Sequence, residues 1–309
     1  MKTAFLFAGQ GAQTIGMGKE LCENFKEAND IFEEASDALS IDMKKMIFEG
    51  DSETLMITEN TQPAILTMST AALEVIKNNT DIKPDVVAGL SLGEYTAHVA
   101  AGSLKFNDAV RLVKKRGKYM QEEVPVGVGG MAAVMGLDEA AIREVCKKAS
   151  EKGIAEPANF NCPGQITVAG EVAAVEYACE LAKEAGAKRA MMLAVSAPFH
   201  CSMLKGAGEK LAAELENVAV YDMEYPLISN VTADYVKDKS EIKDLLIRQV
   251  SSSVLFEASL KKMFADGVDT FIEIGPGKAL SGFVKKVAKE LSAEANIFNV
   301  ENPDGLSML

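Results

Sequence analysis

Three features of the sequence predict an α/β fold in two parts. Short apolar runs alternate with helical patterns through the first third of the chain, a Pro/Gly stretch interrupts them near residue 125, and a differently ordered set of strands and helices follows. The expected architecture is a large α/β domain with a mostly parallel sheet, residues 1–125 and 197–309, carrying an inserted ferredoxin-like (βαββαβ) small domain, residues 126–196. At 309 residues and 48% hydrophobic, the chain has the material to bury a core of that size.

Taken in order, Thr3–Ala8 reads as a first buried strand, and Phe25–Leu39 repeats apolar residues at helical spacing. Gln62–Lys77 reads as a longer helix with Pro63 tolerated in its first turn. Asp85–Leu90 is a buried strand, Leu92–Ala101 a helix, and Asn107–Gln121 a further helix opened by an Asn/Asp cap. Strand–helix alternation of this kind implies parallel strands covered on both faces. "PVGVGG", residues 125–130, is a hinge. Beyond it come strand Met131–Met135, helix Asp138–Lys152, strands Ile154–Phe160 and Gln165–Ala169, helix Val172–Ala185 and strand Lys188–Val195. The chain then returns through Tyr225–Ser229, the helical stretch Ser240–Val250, the strand Thr270–Ile274 and the helix Leu280–Leu291.

Composition excludes several classes of function. A net charge of −13 argues against a nucleic-acid partner. No apolar run reaches the ~18–20 residues that span a bilayer, and the run after Met1-Lys2 is too short for a signal peptide. Five scattered cysteines show neither metal spacing nor a disulfide framework, and two histidines are too few for an ordinary zinc site. Reduced thiols in a cytoplasmic protein are the expectation.

Chemistry enters at "DVVAGLSLGEYTAHVAAG", residues 85–102. Gly89-Leu90-Ser91-Leu92-Gly93 matches G-x-S-x-G between a strand and a small-residue helix, the context in which a serine is held exposed on a sharp turn. That context makes the large domain α/β-hydrolase-like; tight packing of a helix on a strand is the plainer alternative. A serine needs a proton acceptor, and histidine serves best near neutral pH. His98 lies seven residues down the same helix, roughly 10 Å away at ~1.5 Å per residue, and reads as a surface or packing residue. His200, in "VSAPFHC" where the chain re-enters the large domain, is the remaining candidate base; a hydrogen-bonded interdomain histidine is the alternative. Its neighbour Cys201 reads as a small buried hydrophobe. An ordinary α/β-hydrolase places an acid between serine and a histidine near the C-terminus. Here 109 residues follow His200 and no acid in the interval announces itself.

A set of short motifs in a specific order spans almost the whole chain: "FAGQGAQ" (7–13), "TQPAI" (61–65), "GLSLGEYTA" (89–97), "VKKRGKYMQ" (113–121), "NFNCPGQITVAG" (159–170), "VSAPFHC" (195–201), "ISNVTA" (228–233), "RQV" (248–250) and "EIGPG" (273–277). Together they resemble the malonyl-CoA:acyl carrier protein transacylase family, loading enzymes of fatty-acid synthesis. One departure is Leu90, where many members carry histidine; it removes a polar neighbour and no part of the proton-transfer pair.

The resemblance implies that Ser91 is acylated, that His200 is general base and then general acid, and that the imidazole is oriented by the backbone carbonyl of Gln249. A carbonyl can fix the tautomer without adding the charge of a carboxylate. The loop "FAGQGAQTIG" fails G-x-G-x-x-G at its third glycine and has no Walker lysine. By resemblance it is the oxyanion loop, the N–H groups of Gln10 and Leu92 facing the tetrahedral oxyanion. Arg116 matches the family's carboxylate-binding arginine, whose planar fork suits a malonyl carboxylate in a dry pocket. Asn159, Asn161 and Gln165 are expected along the pantetheine arm, or else as turn-stabilising polar residues. Gln62 and Met120 are expected to line the acyl pocket, Phe199 to limit room for a branched acyl group, and Glu273 to shape a turn.

The implied reaction is ping-pong transfer from malonyl-CoA to the phosphopantetheine thiol of acyl carrier protein, with no metal or redox cofactor and CoA as product. An acidic carrier would need a local basic patch, such as Lys188-Arg189 or Lys285-Lys286-Lys289. A trans-acting acyltransferase for a polyketide or polyunsaturated-lipid synthase, a serine thioesterase, and an inactive carrier-binding module are the alternatives. If a carbonyl orients His200, replacing Asp222, Glu224 or Asp234 leaves turnover within about tenfold of wild type, whereas His200→Ala removes several orders of magnitude. Steady-state kinetics on folded variants measure this.

Overall fold

The computed structural model describes residues 2–195 and 197–309. The chain opens with β1 (Thr3–Phe7), α1 (Lys19–Asn24), α2 (Lys26–Leu39), α3 (Ser52–Met56) and α4 (Thr58–Asn79). β2 (Val86–Gly89), α5 (Leu92–Ala100) and α6 (Phe106–Glu123) follow. The middle holds β3 (Gly129–Met135), α7 (Glu139–Ala149), β4 (Ala155–Cys162), β5 (Gln165–Glu171), α8 (Val172–Glu184) and β6 (Arg189–Met192). The last third adds α9 (Lys205–Glu216), α10 (Ile242–Ser251), α11 (Phe256–Ala265), β7 (Thr270–Ile274), α12 (Ala279–Leu291), β8 (Asn296–Val300) and α13 (Pro303–Leu306).

Two sheets result. The first has the order β2-β1-β7-β8 with every neighbour parallel. Side-chain alternation divides its faces: Phe5, Phe7, Val87, Ile272 and Ile274 join the core beneath α4 and α5, while Ala4, Leu6, Val86, Ala88 and Phe271 pack with α11 and α12 on the other side. Burial on both faces explains the continuous apolar runs of β1 and β2. The second sheet, antiparallel, has the order β4-β5-β3-β6 and buries Ala132, Val134, Ile166 and Val168 against α7 and α8. From this sheet Met131, Ala158 and Ala169 belong to the first core, so the two sheets share packing. Main-chain bonds between Phe160 and Val254 (2.9 Å) and between Val254 and Ala158 (2.8 Å) tie β4 to the segment before α11.

Several sequence-based expectations need correction. α4 starts at Thr58, so Pro63 lies inside the helix, beyond the first turn, and forfeits a bond to the carbonyl of Glu59. α6 has no Asn/Asp cap: extended Lys105 precedes it, and no side chain caps its first turn. The last two residues of the 125–130 hinge are strand, because β3 begins at Gly129. α9 was not expected; Gly206 and Gly208 weaken its helical propensity, and burial of Leu211 and Leu215 overrides them. α11 and the edge strand β8 were also not expected. Glu273 does hold the strand-to-helix turn, its carboxylate accepting from Leu280 N–H (3.0 Å) and Ser281 N–H (2.7 Å) at the start of α12. Among the described residues no helix is long and apolar enough to cross a membrane.

His98 is a packing residue, not a surface one. It is buried at the end of α5, with Nδ1 2.8 Å from Ser103 Oγ. Burial lowers its pKa from 6.5 to about 3. Below pH 6.5 the unfolded chain takes up a proton that the folded chain refuses until about pH 3. The stability at neutral pH is therefore lost on acidification, at roughly 1.4 kcal/mol per pH unit from this group. His98→Leu is expected to show a shallower decline in urea-unfolding free energy as pH falls from 6.5 towards 3; an unchanged decline would contradict the assignment.

Candidate active site

Ser91 follows β2 by two residues and is the N-cap residue of α5, with φ 54° and ψ −106°, a conformation that L residues avoid. Two remote segments hold it. Ser91 N–H donates to Oδ1 of Asn230 at 2.6 Å, and Asn230 Nδ2 donates to the Gly89 carbonyl at 2.7 Å. Leu90 N–H donates to the Phe7 carbonyl at 3.0 Å, joining the turn to the end of β1. Gly93 permits this approach, since a Cβ there would lie 2.0 Å from the Phe7 carbonyl oxygen.

His200 lies in a turn after β6, itself at φ 61°. Its Nε2 lies 2.6 Å from Ser91 Oγ and its Nδ1 2.8 Å from the Gln249 carbonyl. A carbonyl only accepts, so Nδ1 carries the hydrogen and Nε2 presents its lone pair to the serine. Burial, reinforced by the positive charge of Arg116 and opposed by the Gln249 carbonyl, lowers the imidazole pKa to about 3. The ring is thus neutral and able to accept a proton. Among the described residues the partner of Nδ1 is the Gln249 carbonyl and not a carboxylate. Asp222 pairs with Lys239 at 3.0 Å and Asp234 with Lys262 at 3.3 Å, both near the surface. Cys201, next in the chain, is buried with its thiol pushed up to about 12 and bonded to the Pro198 carbonyl, which removes it as a second nucleophile.

Arg116 is 1% exposed, the largest fully buried side chain. α6 brings it in because Gly117, where a Cβ would meet the Thr58 carbonyl at 2.5 Å, lets α6 press against the start of α4. Nη1 donates to Gln62 Oε1 at 2.7 Å; Nη2 donates to Gln249 Oε1 at 3.0 Å and to Ser91 Oγ at 3.2 Å. The guanidinium lies 5.2 Å from the Tyr95 ring centroid. All these partners are neutral, and Nε has no hydrogen-bond partner among the described residues. Burial pulls the guanidinium pKa down, while Tyr95 and Glu94 raise it. A buried cation so placed has unused capacity for an anion.

These groups open into a cleft of about 1500 Å³ between the two sheets. Gln10, Gln62, Ser91, Arg116, Met120, Asn159, Asn161, Phe199 and His200 all line it. Gln10 Nε2 donates to Thr58 Oγ1 at 3.2 Å, and Gly9 lies against the Leu90 carbonyl, where a Cβ would be 2.4 Å away. Leu92 and Gln249 are fully buried behind the cleft wall. Gln62 Nε2 points to Met120 Sδ at 3.7 Å, and Asn159 Oδ1 accepts from Thr167 Oγ1 at 2.7 Å. Gln165 departs from expectation: it does not line the cleft, and its Oε1 accepts from Lys286 on α12 at 2.9 Å. It stands at the hairpin end of β5, opposite Cys162 and two residues before Thr167, the cross-strand partner of Asn159. A smaller cavity of about 610 Å³, lined by Glu33, Asp37, Asp42 and Lys45 among others, contains no nucleophile–base pair. Among the described residues no group of three His, Cys, Asp or Glu is placed to hold a metal ion.

Sequence reasoning missed Asn230 and Glu94. Both lie within the quoted motifs "ISNVTA" and "GLSLGEYTA", but an Asn between Ser and Val reads as loop, and a Glu early in a helix as an exposed first-turn charge.

A family model described as an acyl transferase domain matches residues 4–301. The malonyl CoA-acyl carrier protein transacylase of Bacillus subtilis (strain 168) is 51% identical over 308 residues, covering 99% of this chain and 96% of that protein. The crystal structure of malonyl CoA-acyl carrier protein transacylase from Clostridium perfringens aligns with a TM-score of 0.95 at 47% identity, covering 100% of this chain and 96% of that one. A malonyl-transacylase solved with a holo type II PKS acyl-carrier protein aligns at 0.96 and 39% identity, covering 100% and 98%.

Proposed function

Since the chain belongs to the acyl transferase family, we propose that it transfers malonyl from malonyl-CoA to the phosphopantetheine thiol of acyl carrier protein, for fatty-acid synthesis, through a malonyl ester on Ser91. The observation that carries this reading is the buried Arg116, held by neutral partners 3.2 Å from Ser91 Oγ. The carboxylate of a malonyl group on that oxygen is two carbon–carbon bonds from the ester carbonyl, within reach of the guanidinium. An esterase for neutral acyl groups has no use for such a cation.

In this reading Ser91 Oγ attacks the thioester carbonyl as its proton passes to His200 Nε2, while the Gln249 carbonyl keeps the Nδ1 hydrogen in place. The N–H groups of Gln10 and Leu92 hold the oxyanion, helped by the positive end of α5. The C–S bond breaks and His200 returns the proton to the departing CoA sulfur. The carrier thiol then gives its proton to His200 and attacks the malonyl ester, and Ser91 leaves as the free hydroxyl. The thioester is already activated, so this route draws on no metal or redox cofactor. Met120, Gln62 and Phe199 bound the acyl pocket, and Asn159 and Asn161 flank the pantetheine arm.

The proposed organisation is a large α/β-hydrolase-like domain (1–125, 197–309) with a ferredoxin-like domain (126–196) inserted. The sheet order β4-β5-β3-β6, with α7 and α8 on one face, supports the second part. The proposed location is the cytoplasm, which suits five cysteines without disulfides. A polyketide carrier as recipient is a second reading, favoured by the likeness to a transacylase solved with such a carrier; rates with the two carriers separate them.

Incubation with malonyl-CoA alone is expected to leave one malonyl group on the Ser91 peptide by mass spectrometry, and none in Ser91→Ala. Arg116→Ala is expected to lower the ratio of malonyl to acetyl transfer by about 10- to 100-fold, the value of a charge-assisted bond in a dry site. An unchanged ratio removes the clamp.

A further inference from the structure

The sequence Ser91-Leu92-Gly93-Glu94 has the form of a capping box, in which the glutamate reaches back to the N–H of the capping serine. Here it does not. Ser91 N–H is taken by Asn230 Oδ1 at 2.6 Å, and the Glu94 side chain is turned into the protein, fully buried. Its Oε2 accepts from Gln249 Nε2 at 2.6 Å and from Asn230 N–H at 3.2 Å.

The Gln249 amide is met from both ends. Oε1 accepts from Arg116 Nη2, and Nε2 donates to Glu94 and to the Ser91 carbonyl at 2.9 Å. Turning the amide over would set NH₂ against a guanidinium that only donates, and oxygen against oxygen atoms. The Ser91 carbonyl is shared with the helical bond from Glu94 N–H at 3.0 Å, which leaves the carboxylate as the stronger restraint.

We propose that Glu94 is a positioning residue for malonyl selection: its acceptor oxygen locks the Gln249 amide so that Oε1 faces Arg116 and directs the guanidinium toward the substrate carboxylate. This rests on Arg116 being the malonyl clamp. Acceptance, not charge, is what the amide requires. Burial raises the Glu94 carboxyl pKa to about 7, against the opposing bonds from Gln249 and Asn230, the nearby Ser229 and the charge of Arg116. A proton taken up near neutrality occupies the other oxygen and leaves Oε2 an acceptor. Glu94→Gln reproduces that protonated shape.

The test is the ratio of malonyl to acetyl transfer, compared as kcat/KM, which does not depend on the fraction of enzyme that is folded. Glu94→Met, similar in length with only a weak thioether acceptor, is expected to lower the ratio about tenfold or more, and Glu94→Gln to keep it within about threefold. The double variant with Arg116→Ala is expected to fall no further than Arg116→Ala alone, because both act on one contact. An unchanged ratio in Glu94→Met beside a collapsed one in Arg116→Ala overturns the inference and leaves the clamp standing. An unchanged ratio in Arg116→Ala overturns both. Should Glu94→Met not fold, Gln249→Met removes the amide but keeps the backbone carbonyl for His200. The same fall is expected there, and no fall overturns the proposal, as does a Glu94→Gln ratio as low as that of Arg116→Ala.

Discussion

A serine backbone at φ 54° and ψ −106° costs about 1–3 kcal/mol to maintain. That cost is met by groups drawn from distant parts of the chain: the Phe7 carbonyl at the end of β1, the Asn230 side chain from the loop after α9, and the close contact of Gly93 with β1. The strain aims Oγ outward from the sheet and frees the start of α5. A hydroxyl on a relaxed helix would not stand opposite a histidine that enters from the other sheet. The serine–histidine distance of 2.6 Å is thus a product of the whole fold.

Gln249 joins the parts of this arrangement. Its main-chain carbonyl orients the imidazole, its side-chain oxygen meets Arg116, and its side-chain nitrogen meets the elbow. Carbonyl orientation has an electrostatic consequence. With Arg116 close by and burial complete, the imidazole stays neutral, so its Nε2 lone pair is free to face the serine hydroxyl. A carboxylate behind the ring would stabilise the imidazolium and would also compete for the guanidinium. The charge at the centre of the site is left to the arginine, whose neutral partners hold its direction without cancelling it.

Legibility followed the range of the interaction concerned. β1, β2 and β7 were readable because strands buried on both faces are continuous apolar runs, and the βαββαβ order was readable from period alone. β8 was not, because it is a half-buried edge strand, and α9 was not, because glycines dilute its pattern. Pro63 was misplaced by a few residues because the polar start of α4 shows no apolar period. Gln165 shares a motif with Asn159 and Asn161, yet it lies at the hairpin end of β5, where its amide oxygen meets Lys286 on α12 and not the cleft. Glu94 and Asn230 were present in recognisable motifs without a visible task, since their partners lie 155 and 139 residues away.

By itself the sequence determined the local chemistry: a serine on a strand-to-helix turn, one histidine able to serve it, an arginine on a helix, and apolar periods that bury two sheets. These depend on neighbours within a few residues, where side-chain type and spacing suffice. Tertiary structure alone decided which nitrogen of His200 faces the serine, that Arg116 is dry and without an anionic partner, and that Glu94 leaves its helix-capping position to hold Gln249. Those outcomes depend on burial and on hydrogen-bond partners from remote segments, and no local pattern encodes how far water is kept from a charge.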